Sequence, residues 1–191
     1  MNGAIVIEAE YKVRLADPAA VRKQLAVRSE PDYVVYSDTY VDTADRALAA
    51  ADQEFRLRTI DGASGTTHLL TFKDAAVDDA TGSKPEYETV VGDREAMNRI
   101  VSMLGYRPVI SFTKRCENYR FQAARRQMLA TIVTVPEIDG TFLELETSAA
   151  DTESLPDALQ DLRLVLDELG ITADQYTTEL YTDAVARSRQ V

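Results

Sequence analysis

The chain has 191 residues, a formal net charge of −11 and a single cysteine, Cys116. That acidity argues against a general nucleic-acid-binding surface, which needs a basic footprint, but leaves room for a local phosphate site. One cysteine permits no internal disulfide and suits a reducing cytoplasm. No apolar run reaches the roughly 20 residues of a membrane-spanning helix, and the start of the chain lacks the basic region of a secretion signal. The expectation is therefore a cytoplasmic protein without a membrane or nucleic-acid partner, folded as one domain over residues 1–191.

The first element is an alternating strand from Ala4 to Leu15: Ile5, Ile7, Ala9, Tyr11 and Val13 share one face, while Glu8, Glu10, Lys12 and Arg14 share the other. Asp17-Pro18 opens a helix to about Arg28, with proline at a tolerated first position. Strands follow at 33–42, with Asp38, Tyr40 and Asp42 on one side, at 53–60, with Glu54, Arg56 and Arg58 opposite Phe55 and Leu57, and at 66–73. Residues 74–85 are small, polar and aperiodic and read as a mobile loop, a lid if Lys84 swings toward a ligand. A strand at 86–91 precedes a helix from Asp93 to Leu104, stopped by Gly105. Further strands are expected at 109–122, 128–135 and 141–147. Leu155, Leu159, Leu162, Leu166 and Leu169 mark a helix, and a last helix is expected over 173–188. The sum is an α+β fold.

Three Glu-x-Glu pairs stand on these strands: Glu8 and Glu10, Glu86 and Glu88, Glu144 and Glu146. Side chains two apart on a strand point the same way, so each pair stacks like charges that need water, a cation or a basic partner. One such strand usually just faces water. Here the polar faces also carry Lys12, Arg56, Arg58, Lys73 and Lys114, and the opposite faces are strongly apolar. About eight strands suffice to curl into a closed sheet. If helices cover the apolar faces, the charges line a tunnel. Carboxylates there would suit Mg²⁺ or Mn²⁺, and the cations a polyanion such as a phosphate chain. His68 reads as packed or solvated, and Cys116 lacks a partner histidine for nucleophilic work.

The ordered set Glu8-Ala-Glu-Tyr-Lys12, Ser37-Asp38-Thr-Tyr-Val-Asp42, Phe55-Arg56-Leu-Arg58, Thr71-Phe-Lys73, Pro85-Glu86-Tyr-Glu88, Lys114-Arg115 and Asp139-Gly140-Thr-Phe-Leu-Glu144-Leu-Glu146 resembles the CYTH superfamily, the triphosphate tunnel enzymes. The resemblance implies an eight-stranded antiparallel β tunnel, closed or nearly closed, with flanking helices. It implies that Glu8, Glu10, Glu144 and Glu146 hold Mg²⁺ or Mn²⁺, and that Lys12, Arg56, Arg58, Lys73 and Lys114 hold phosphates. Glu86 and Glu88 would line the tunnel, and Glu8, Glu10 and Lys12 would stand at the reacting centre.

Two departures stand out. Thr134 occupies a place where the family often has aspartate, so a metal ligand is expected to be missing unless Glu137 or Asp139 substitutes. Cys116 falls where a second cation is common, with Arg120 on the same face as a partial replacement. Length and segment spacing are most similar to class IV adenylyl cyclase-like proteins, which implies conversion of ATP to cyclic AMP and pyrophosphate. The alternatives are a triphosphatase acting on inorganic, thiamine or nucleoside triphosphate, and a non-catalytic triphosphate or polyphosphate sensor. A homodimer is compatible with the resemblance.

Overall fold

Alternation along each strand decides which residues meet water and which meet helices, and in this computed structural model that choice closes a barrel. Residues 6–78 and 80–190 are described; the expected beginning of the first strand, Ala4 and Ile5, lies outside them. The strands are β1 (Val6–Arg14), β2 (Asp32–Asp42), β3 (Glu54–Gly62), β4 (Gly65–Lys73), β5 (Lys84–Val91), β6 (Arg107–Ala123), β7 (Arg126–Thr134) and β8 (Phe142–Ala149). They pair antiparallel around a closed ring in the order β1-β5-β4-β3-β2-β6-β7-β8. The helices are α1 (Pro18–Ala26), α2 (Ala47–Ala50), α3 (Arg94–Met103), α4 (Leu155–Glu168) and α5 (Tyr181–Ser188).

The larger apolar core lies outside the barrel wall. Ile7, Ala9 and Val13 of β1, Ala130 and Ile132 of β7, and Leu143 and Leu145 of β8 pack against Leu155, Leu159, Leu162 and Leu166 of α4. The leucine stripe therefore turns the odd-numbered residues of β1 and β8 outward, and their glutamates inward. Leu162 and Leu166 are fully buried, and truncating either to alanine costs about 2–5 kcal/mol. A second core fills one end of the barrel interior, where Val34, Tyr36, Phe112, Cys116 and Val133 meet Tyr181 and Val185 of α5.

Three expectations need correction. Residues 173–188 are not one helix. A 3-10 turn at Ala173–Gln175 is followed by extended backbone, and only Tyr181–Ser188 is helical. The extended stretch lies on the edge of β1: Tyr176 bridges Val13, and Thr177 N donates to Lys12 O at 3.0 Å. Hydrogen bonding to a strand edge outweighs the weak helix preference of Thr177 and Thr178.

The loop expected at 74–85 ends sooner, because Lys84 and Pro85 already belong to β5. Its remainder is pinned by a turn in which the Asp78 carboxylate accepts from Thr81 N at 2.9 Å, by a bridge between Asp78 and Ser83, and by Ala76 N donating to Asp52 at 2.8 Å.

Asp42 does not share the inward row of Asp38 and Tyr40. The β2–β6 register shifts at Tyr40/Val41, and the Asp42 carboxylate anchors α2, a helix absent from the expectation, by accepting from Leu48 N at 2.9 Å and Ala49 N at 3.1 Å.

Candidate functional site

Register sets the charged interior. Glu10 stands opposite Glu146 and Lys12 opposite Glu144 across the β1–β8 pair, while Arg58 stands opposite Asp38 and Arg56 opposite Tyr40 across β2–β3. Glu8, Glu10, Lys12, Arg56, Arg58, Lys73, Lys114, Glu144 and Glu146 all line one interior cavity of about 360 Å³. Asp52, Glu54 and Lys84 also contribute charge to its lining, and Thr177, Thr178, Leu180 and Tyr181 border one side.

Carboxylate oxygens of Glu8, Glu10 and Glu146 lie within 4.8 Å of one another. Three oxygen donors converging without nitrogen or sulfur are the donor set a hard divalent cation takes. Their electrostatics agree. Burial, then Glu144 and Glu8, push the Glu10 carboxyl up to about 7; burial, Glu8 and Glu10 hold that of Glu146 well above the carboxylate range. Such crowding is relieved by a proton or by a cation. The residues present therefore fit Mg²⁺ or Mn²⁺, with Glu144 set slightly apart on Lys114.

The cations are mostly held by acids. Lys73 is ion-paired to Glu8 and lies 2.9 Å from Glu86. Burial acts to raise the Glu8 carboxyl, but Lys73, Arg56 and a hydrogen bond with Glu86 together more than offset it and leave it at about 2. Lys114 Nζ lies 3.0 Å from Glu144 and 4.3 Å from the Tyr181 ring centroid. Lys12 Nζ donates to the Glu179 carbonyl and stands 4.8 Å from the same ring. Arg58 makes a bidentate contact to Asp38 at 2.6 and 2.7 Å. Arg56 is held least closely: its Nε is buried without a hydrogen-bond partner among the described residues, its Nη atoms reach Tyr40 and Thr71 only at 3.5 Å, and its nearest Asp38 contact is 3.9 Å. A buried donor left open is costly, and an incoming anion would satisfy it.

Not every expected residue joins this cavity. Arg120 is exposed and lines a separate cavity of about 500 Å³ with Glu86 and Glu88. Glu8 and Glu146 border both cavities. Thr134 pairs with Arg115 on the outer face of the barrel, whereas Thr131, opposite Glu144, is the inward neighbour. Thr134 is thus not the place of a lost ligand. Glu137 is taken by Arg189 at 2.6 Å, outside the cavity lining, and Asp139, exposed, is also absent from that lining. Cys116 does face inward, in the apolar end of the barrel, where burial pushes its thiol up to about 12. At neutral pH it is no nucleophile.

Sequence reasoning placed Asp38 on one face with Tyr40 but gave it no role; it is almost wholly buried and held at about 2 despite burial because Arg58 and Arg56 flank it. Its phase with Tyr36 and Tyr40 was the available signal. It also missed Tyr181 and Thr177, because a continuous helix was expected there.

A family model described as CYTH domain matches residues 6–181. A Methanocaldococcus jannaschii protein provisionally named adenylate cyclase, MJ0240, is 27% identical over 184 residues, covering 93% of this chain and 98% of that protein. Adenylate cyclase CyaB of Aeromonas hydrophila is 26% identical over 181 residues, 91% of this chain and 86% of its own. Among solved structures, PH1819 of Pyrococcus horikoshii superposes with a TM-score of 0.81 at 21% identity, covering 95% and 99% of the two chains. HpAC1 of Hippeastrum, whose structure is described as revealing a dominant triphosphatase activity, superposes with a TM-score of 0.65 at 17% identity over 96% of each chain.

Proposed function

The chain belongs to the CYTH domain family, and from that premise we propose that its barrel binds a triphosphate together with Mg²⁺ or Mn²⁺ and converts ATP to cyclic AMP and pyrophosphate. The observation that carries this is one cavity holding both a convergent carboxylate group, Glu8, Glu10 and Glu146, and the cations Lys12, Arg56, Arg58, Lys73, Lys84 and Lys114 of the surrounding wall. Among the described residues the lining has six acids and six bases, so a polyanion entering with dications leaves the total near zero. The adenylate cyclase naming of two relatives supports the reaction.

In this reading Glu8, Glu10, Glu144 and Glu146 would hold the metal, which when bound would acidify the attacking hydroxyl and stabilise charge on the leaving pyrophosphate. Arg56 Nε offers a free donor to a phosphate oxygen, and Arg58, fixed by Asp38, presents its remaining donors in a set orientation. Lys73 and Lys114 exchange carboxylates for phosphate oxygens. Lys12, near the Thr177–Thr178 side, steadies the phosphate closest to the organic part of the substrate. The 3′-hydroxyl gives its proton to water and its oxygen attacks the α-phosphorus, the bond from that phosphorus to the bridging oxygen breaks, and pyrophosphate departs with the charge held by these cations. The Tyr181 side is closed by α5, which limits water.

The second reading keeps the site and changes the nucleophile to water, giving a triphosphatase. The described activity of HpAC1 favours it. Incubating the protein with Mg²⁺ or Mn²⁺ and, separately, ATP, inorganic triphosphate and thiamine triphosphate, then resolving all products, decides between them. Cyclic AMP and pyrophosphate, abolished by Glu10→Gln, support the cyclase; orthophosphate without a cyclic product makes the protein a triphosphatase.

A further inference from the structure

Among the described residues β1 and β5 pair at three positions, Val6 to Glu8 against Glu86 to Lys84, whereas β1 and β8 pair at eight, Ile7 to Arg14 against Ala149 to Phe142. Beyond Glu8 this edge of β1 is met, among the described residues, by Ser83, whose Oγ lies 3.5 Å from Glu10 N, and by the extended stretch at 176–177, through the Val13–Tyr176 bridge and Thr177 N donating to Lys12 O at 3.0 Å. At this seam a cleft of about 510 Å³ lies outside the barrel, and Lys12, Thr81, Thr177 and Thr178 border both it and the interior cavity.

The cleft has a different chemistry from the tunnel. Tyr11 and Tyr176 meet edge to face, centroids 5.4 Å apart at 89°. The Arg163 guanidinium carbon lies 5.6 and 5.7 Å from the two centroids, and Asp167, one turn along α4, lines the same cleft. Two aromatic rings, a guanidinium that stacks on planar systems and a carboxylate that accepts from ring amino groups form a set that recognises a planar heteroaromatic group. Arg163 already holds the cation position over both rings, so a positively charged ring must compete with it for those faces, whereas a neutral base stacks beside it and offers amino hydrogens to Asp167.

Resting on the triphosphate reading of the tunnel, we propose that this cleft is its head-group subsite, taking the neutral base of a nucleoside triphosphate whose phosphates pass Lys12 into the barrel. Thr177 and Thr178, between the two spaces, face the sugar. Thiamine triphosphate, with its cationic thiazolium, is thereby the poorer ligand and inorganic triphosphate the one indifferent to the cleft.

The test compares binding of a non-cleavable ATP analogue, thiamine triphosphate and tripolyphosphate, each with Mn²⁺, in the intact protein and in Arg163→Ala and Tyr176→Ala. Arg163→Ala and Tyr176→Ala are expected to weaken the nucleotide about tenfold, the range of one lost stacking partner, with tripolyphosphate unchanged and thiamine triphosphate improved by Arg163→Ala. Because Tyr176 also bridges β1, exposed Arg163 decides: equal effects on nucleotide and tripolyphosphate, or none on either, overturn the subsite. Unmodified protein that binds tripolyphosphate but holds the nucleotide no tighter also overturns it and leaves the tunnel reading standing. Failure to bind tripolyphosphate at all overturns the tunnel reading, and the subsite with it.

Discussion

Lys114 Nζ lies 3.0 Å from Glu144 inside the barrel, and Lys73 holds Glu8 in the same manner. Each pair joins a cation suited to phosphate with a carboxylate suited to metal. Neither ligand can take its full set of partners until the other releases them.

Metal and triphosphate are therefore expected to bind cooperatively. Calorimetric titration of Mn²⁺ with and without tripolyphosphate should differ by about 5–150-fold, and tripolyphosphate should respond to Mn²⁺ by the same factor after correction for the complex formed in solution. Affinities that ignore one another would contradict the exchange.

Without metal, Glu10 makes the protein less stable as pH rises. Its carboxyl titrates at about 7 in the fold against 4.5 when exposed, so the unfolded state loses its proton first and gains relative to the fold between those values. Glu146, also raised, adds in the same direction. The depressed pKa values of Glu8 and Asp38 act below this window. Thermal melting of metal-free protein should drop from pH 5 to pH 7, and Mn²⁺ should restore it most at pH 7. A flat profile in that window would count against crowding of these carboxylates.

Asp38→Ala should cost about 3–5 kcal/mol in urea unfolding, because it leaves the Arg58 side chain, only 12% exposed, without its bidentate partner. Arg58→Lys should retain charge yet lose the fork geometry. Wild-type stability in Asp38→Ala would mean water replaces the carboxylate.

Thr134→Asp should leave Mn²⁺ affinity within twofold of the unmodified protein, whereas Glu146→Gln should reduce it at least tenfold. Thr134 faces away from the cavity and Glu146 faces in. A clear gain on Thr134→Asp would require a different β7 register.

What could be read from the sequence was what alternation controls. The strand phase of Glu8, Glu10 and Lys12, with the leucine stripe of α4 to cover the other face, was enough to turn charge inward and close a barrel. Residues whose position depends on long-range register were less legible. Thr134 and Thr131 differ by three in sequence, but only pairing with Glu144 tells which looks inward. The segment 176–180 looked helical beside the true helix α5, since nothing local announces that Tyr176 will meet Val13, more than 160 positions away. Arg120 shares the phase of Lys114, but six residues further along the long strand β6 it lines the other cavity.

The most direct measurement is a crystal structure of the protein with Mn²⁺ and tripolyphosphate, the metal located by its anomalous scattering. The expected result is Mn²⁺ on Glu8, Glu10 and Glu146, with phosphate oxygens on Arg56, Lys73 and Lys114 and the Lys73–Glu8 pair opened. Manganese elsewhere, or a polyphosphate lying outside the barrel with those ion pairs intact, would contradict the assignment of one cavity to both.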